Sequence, residues 1–227
     1  MNLTKIQLNK IRIYLEEIGF KYIDVQMEIL DHVASAVEEK MTENPALTFQ
    51  DAVNQTQTSF GKAGFTKIEK SIIKGLGKKY WKLFLRHFCS FFHISSLWIV
   101  ILSGFGLYQL QNLIANQDNF FTVFIIAIII LFSALAYRGF KAVGYKKFMV
   151  YKISGSYAAY VGIFLMFVFQ AINKPSTGML FGLNKSYLVV SVLITFFGLY
   201  YSAALKTVKA GALESKAIAD KLKLLYH

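Results

Sequence analysis

Apolar positions are striped in the first part of this chain and unbroken in the rest. Over residues 1–69 they recur at helical spacing between charged positions. Beyond residue 90 four long apolar runs fill most of the sequence, at 94–110, 120–137, 157–172 and 187–205. Each approaches the ~20 residues that a helix needs to cross a bilayer core. The striped part predicts a small helical domain in water, and the unbroken part predicts a four-helix transmembrane bundle. The fold class is therefore all-α.

The striped part resolves into short helices. Leu8, Ile11, Leu15 and Ile18 share one face of a first helix over 4–18, and Gly19 stands where its C-terminus favours a left-handed residue. Ile23, Met27, Leu30, Ala34, Val37 and Met41 give a second helix a buried stripe, ended by Asn44-Pro45. Thr48 and Asp51 form a capping pattern for a third helix, with Phe49, Val53, Thr56 and Phe60 as its apolar face. Thr66 and Glu69 repeat that pattern for a fourth, which leads through a basic run toward the first apolar segment, with Gly75 and Gly77 placed to bend it. These features divide the chain into a helical domain over 1–64, a basic connector over 65–90, a transmembrane domain over 91–205 and a C-terminal helix over 206–227.

Charge sets the orientation. Residues 1–69 hold seven Lys/Arg and ten Asp/Glu, whereas residues 70–227 hold eighteen and three. Six of those cations precede the first apolar run, five lie between the second and third, and five follow the fourth. The two alternate loops hold only Lys174 and Lys185 between them. The positive-inside rule reads this as four spans with both termini in the cytoplasm. It also accounts for the formal charge of +12 without nucleic acid, because anionic headgroups attract juxtamembrane cations. The N-terminal stretch is amphipathic rather than continuously apolar, so the first span is expected to target the chain.

The chemistry of the sequence is sparse. Asp24, Glu28, Asp31, Ser35 and Glu38 form a polar stripe along the second helix, and His32 sits at its edge. Glu28, Asp31 and His32 have the spacing of half a helix-bundle metal site. No other head helix offers a histidine, so a structural or partner-binding role is the better reading and no metal is assigned. His87 and His93 flank the first span with no acid nearby, and Cys89 is the sole cysteine. The span centres hold no ionisable residue, which argues against an ion-coupled transporter. No phosphate loop, nucleophile motif or zinc motif is visible, so neither enzyme activity nor a cofactor is expected.

Small residues recur at Ser154, Ala158 and Gly162 on the third span and at Ser191, Thr195, Gly198 and Ser202 on the fourth. Such stripes let helices approach closely in lipid. Packing of spans three and four on each other is the expected use, and contact with another subunit is the alternative.

EILDHVASAVEEKM, a short break, and then TFQDAVNQTQTSFGKAGF set out an acidic amphipathic helix, a turn, a helix carrying Ala-Val and a closing Phe-Gly. This order resembles the HAAS-type signalling domain, over about residues 5–65. Such domains stand at the cytoplasmic N-terminus of multispan bacterial membrane proteins and often occur with PadR-like regulators. The resemblance implies signalling at the bacterial inner membrane. The expected function is a non-catalytic regulator or adaptor, with Asp24, Glu28, Asp31, His32 and Glu38 meeting a protein partner. That partner lies in the cytoplasm or the membrane, a second copy of the chain included. The alternative is an accessory subunit of a larger membrane complex, for transport or protein export.

Overall fold

The computed structural model describes residues 3–60, 64–114, 123–124, 126–127, 130, 134, 143–173 and 178–226. Helix dominates them. In chain order they form α1 (Lys5–Glu17), α2 (Ile23–Glu43), α3 (Phe49–Phe60), α4 (Gly64–Cys89), α5 (Ile94–Leu113), α6 (Met149–Ser156), α7 (Val161–Asn173) and α8 (Lys185–Tyr226). Strands β1 (Met179–Leu180) and β2 (Leu183–Asn184) make one small hairpin. Its turn residues Phe181 and Gly182 both have positive φ, 51° and 78°, as a two-residue primed turn requires.

Two compact units emerge. The first combines Met1–Lys79, Tyr145–Ile153 and Glu214–His227. Local sequence builds its helices. Thr4 and Gln7 close a capping box at the start of α1. At the other end, the N–H of Gly19 donates to the Glu16 carbonyl and that of Phe20 to the Leu15 carbonyl. Gly19 has φ +102°, so this is a Schellman cap of the kind its position predicts. Thr48 and Asp51 form the expected cap of α3, with the Asp51 N–H donating to Thr48 Oγ1 at 3.2 Å. Thr66 does not start a helix, because α4 already runs from Gly64 and continues through Gly75 and Gly77 without a break.

The core of this unit holds Ile11 and Leu15 from α1, Val25, Ile29, Val33, Val37 and Met41 from α2, and Ala52 and Val53 from α3. The expected stripe on α2 is thus half displaced. Ala34, Val37 and Met41 are buried, but Ile23, Met27 and Leu30 are only half-buried. The first half of α2 carries two parallel apolar rows, and the β-branched row Val25-Ile29-Val33 is the one that packs inward.

The second unit comprises Tyr80–Gly144 and Ser154–Leu213. A 3-10 turn over Ser90–Phe92 separates α4 from α5, so the connector and the first apolar run are distinct helices. Ile94–Leu113 and Lys185–Lys223 are each long and apolar enough to cross a membrane. α5 is apolar all round and exposes Ile94, Trp98, Ile99 and Leu102 by 65% or more. That much outward apolar surface suits a lipid environment, not water. The run at 120–137 lies largely outside the described residues. The run at 157–172 becomes α7, 13 residues long, preceded by a turn at 157–160. The run at 187–205 is the first part of α8, which continues unbroken into the basic tail over 42 residues.

Candidate functional site

α6 begins without a cap of its own. The residue before it is Phe148, whose side chain has no acceptor, yet the first N–H groups of any helix need one. Asp24, in the first turn of α2, supplies it from 125 residues away. Its Oδ1 accepts from the Met149 N–H at 2.8 Å and its Oδ2 from the Val150 N–H at 2.8 Å. Oδ1 also accepts from the Val25 N–H at 3.1 Å, inside α2. A carboxylate at a helix N-terminus gains from both the paired donors and the helix dipole.

Packing reinforces the cap. Phe148, Met149 and Val150 are 3%, 6% and 2% exposed, and Met149 belongs to the core shared by α1, α2 and α3. Ile153 packs against the same core. Lys152 Nζ donates to Tyr22 Oη at 2.6 Å and lies 5.0 Å from the centre of that ring. The segment 145–153 is therefore built into the head, although two apolar runs separate it from α1–α3 in sequence. The C-terminal part of α8 joins the same unit, where Lys79 Nζ meets both carboxylate oxygens of Glu214 at 2.7 and 2.6 Å.

A cavity of about 280 Å³ lies beside the cap. Ile23, Met27 and Leu30 line it together with Arg12, Glu16, Gln26, Lys147 and Leu222. The second apolar row of α2 thus faces a cavity walled by α1, the 3-10 turn Val143–Lys147 and α8. Gln26 is held in place by donating its side-chain amide to the Phe20 carbonyl.

The acidic stripe divides by use. Asp24 is half-buried and occupied by α6. Glu38 is half-buried and accepts from the Leu3 N–H at 2.8 Å. Glu28, Asp31 and His32 are exposed, with Glu28 and His32 3.9 Å apart as an i,i+4 pair. Such exposed pairs contribute little, on the order of 0.3–0.5 kcal/mol. Among the described residues no group of three metal-ligating side chains gathers.

In the second unit, Ser191 accepts a hydrogen bond from Gln111 Nε2 of α5 at 2.7 Å. The same amide lies 3.1 Å from the Tyr187 carbonyl. Thr195 stands against α5 as well, with its hydroxyl 3.4 Å from where a Cβ on Gly104 would sit. These two small residues of α8 therefore face the first apolar run. α7 meets α8 through the stacked rings of Phe164 and Phe197, 4.3 Å apart, with Ala158 packed beside Phe197. Ser154 is fully buried, whereas Gly162, Gly198 and Ser202 are exposed.

Sequence reasoning missed two elements here. Gln111 was legible only as one of three amides, with Gln109 and Asn112, near the end of an apolar helix. The apolar triplet Phe148-Met149-Val150, set between lysines in a basic loop, was the available sign that this loop docks. Comparison with protein-family models, with curated proteins and with solved structures gives no match to this chain.

Proposed function

We propose that this chain is a non-catalytic regulator or adaptor of the bacterial inner membrane, with four spans, both termini in the cytoplasm and a HAAS-like head that engages a cytoplasmic protein partner. The observation that carries this reading is the Asp24 cap on α6. In the positive-inside topology, residues 138–152 form the cytoplasmic loop between the second and third spans. A loop held in the head's core by one carboxylate and three buried side chains is a mechanical link. A shift of the spans loads the cap, and a partner that strains α2 loads the loop. Coupling of this kind needs only that the two ligands favour different arrangements of one shared element. The exposed remainder of the stripe, Glu28, Asp31 and His32, is the part free to meet the partner.

Topology is tested first. With Cys89→Ser as background, Asn116→Cys and Ser176→Cys should react with an impermeant thiol reagent in intact cells, and Ser35→Cys should not. Labelling of Ser35→Cys in intact cells overturns the orientation. Function is then tested by capture at native expression level, comparing wild type with Glu28→Lys/Asp31→Lys. Loss of one cytoplasmic partner with membrane insertion unchanged supports the regulator. A second reading, the accessory subunit, is favoured by the outward apolar face of α5 and the open positions Gly162 and Gly198. Recovery of the chain only within a large stable membrane assembly supports that one.

A further inference from the structure

The second unit holds a groove of about 410 Å³ between α5 and α8. Its walls are apolar and include Phe92, Ile101, Phe105, Val192, Phe196 and Leu199. From Leu188 to Leu199 it follows α8 for about 16 Å, at 1.5 Å per residue. That is room for a long unbranched apolar chain lying parallel to the helices. Ile101 and Val192 are 53% and 59% exposed, so the groove opens sideways.

One end of the groove runs into basic chemistry. Phe88 packs edge-on against both Phe92 and Phe196, each at 5.4 Å between ring centres. One position from Phe88 is His87, and beyond it Lys206 Nζ sits 5.0 Å over the Phe91 ring. Burial, then Lys206, then Arg86 hold the His87 imidazole below its ordinary pKa. Lys206 and Arg86 each act on His87 as like charges. Among the described residues no carboxylate forms a salt bridge with Arg86, His87 or Lys206.

We propose that the groove and the basic group form one binding site for an anionic phospholipid, with its phosphate at Arg86, His87 and Lys206 and an acyl chain along α5 and α8. Charge complementarity selects an anion, and the continuous apolar groove selects one that carries a long chain over free phosphate. On the proposed topology the basic group lies at the cytoplasmic end of the spans, where anionic headgroups are found. The site rests on the membrane reading of this unit.

The test uses the full chain purified in neutral detergent and photolysed with diazirine-acyl phosphatidylglycerol or its phosphatidylcholine analogue. Wild type should label within 92–105 and 188–199, at least fivefold more with phosphatidylglycerol. Arg86→Gln with Lys206→Gln should bring that label down to the phosphatidylcholine level. Val192→Trp fills the groove from its open side, away from the α5–α8 contact, and should reduce both labels. A second filling variant, Ile101→Trp, guards against misfolding of the first, with helical circular dichroism as the check. Equal labelling by the two lipids, label unchanged in the double variant, or full competition by millimolar inorganic phosphate each overturns the site. Alkaline carbonate extraction of cell membranes reads the membrane placement separately, because a chain that extracts fails that reading before any lipid is added.

Discussion

The two units differ in what they turn outward. In the first, α1, α2 and α3 turn Leu15, Ile29 and Val37 inward to zero exposure and keep Glu28, Asp31 and His32 outside. In the second, α5 turns Trp98, Ile99 and Leu102 outward, and the buried set mixes apolar Phe84, Ile194 and Phe197 with polar Gln111, Ser154 and Ser191. On the proposed membrane reading, the difference reflects what each unit has for a solvent. Water rewards apolar burial, whereas lipid is as apolar as leucine and leaves hydrogen bonds and close packing to hold helices together. Long-range polar contacts differ accordingly. The first unit uses charged groups, Asp24 on α6 and Glu214 on Lys79, while the second uses a neutral amide, Gln111 on Ser191.

The largest effect should come from charging the inward row of α2. Ile29→Asp places a carboxylate where the side chain is 0% exposed. Burying an unpaired charge at such a site costs more than ~3 kcal/mol, enough to unfold a small helical domain. Leu30→Asp faces the cavity rim and should cost far less. Limited proteolysis of the full chain in detergent ranks the two, and equal protection of α1–α3 in both variants would contradict this core. Next in size is Asp24→Ala, which removes the cap from α6. About 1–2 kcal/mol is expected for a cap whose donors are part-buried. Hydrogen exchange at Met149 and Val150 should speed up by roughly tenfold or more, since 1.4 kcal/mol is a factor of ten. Asp24→Asn should fall between, because it keeps an acceptor and loses the charge.

In the second unit the counterpart is Gln111→Leu. It removes a cross-helix bond in an apolar setting, where such bonds contribute about 0.6–2 kcal/mol. Denaturation in mixed micelles should show a loss within that range. Ser191→Ala should cost less, because Gln111 keeps the Tyr187 carbonyl at 3.1 Å.

Local signals were the legible ones. Gly19, the Thr48–Asp51 cap and the extent of α1, α2 and α3 follow from residues within one or two turns of each other, so the sequence displays them directly. α5 and α8 were readable because an unbroken apolar run needs no partner to identify it. The Asp24 cap was not readable. Its two halves are 125 residues apart, and an aspartate in a helix's first turn already has a local explanation in the helix dipole. The displaced core stripe has a similar cause. Two apolar rows on one helix are equal in sequence, and only the neighbours α1 and α3 choose between them. Ser191 and Thr195 face α5 rather than the third apolar run, because small residues do not say which helix approaches.

The smallest effect expected is at His87, and its sign is fixed. Burial, Lys206 and Arg86 all lower its pKa from the ordinary 6.5. The folded chain then binds this proton less readily than the unfolded chain. Between pH 7 and the lowered folded value, the unfolded state gains the proton first, so stability falls as pH falls through that window. Below the folded value both states are protonated and the dependence ends. Denaturation midpoints in zwitterionic micelles should therefore be lower at pH 5.5 than at pH 7.5. Subtracting the same pair for His87→Gln isolates this residue from the carboxylates of the head. Adding anionic lipid supplies the counter-charge that Arg86 and Lys206 deny the imidazolium, so the His87-specific difference should shrink or change sign. A difference that stays the same with and without anionic lipid would mean that the lipid phosphate does not reach His87.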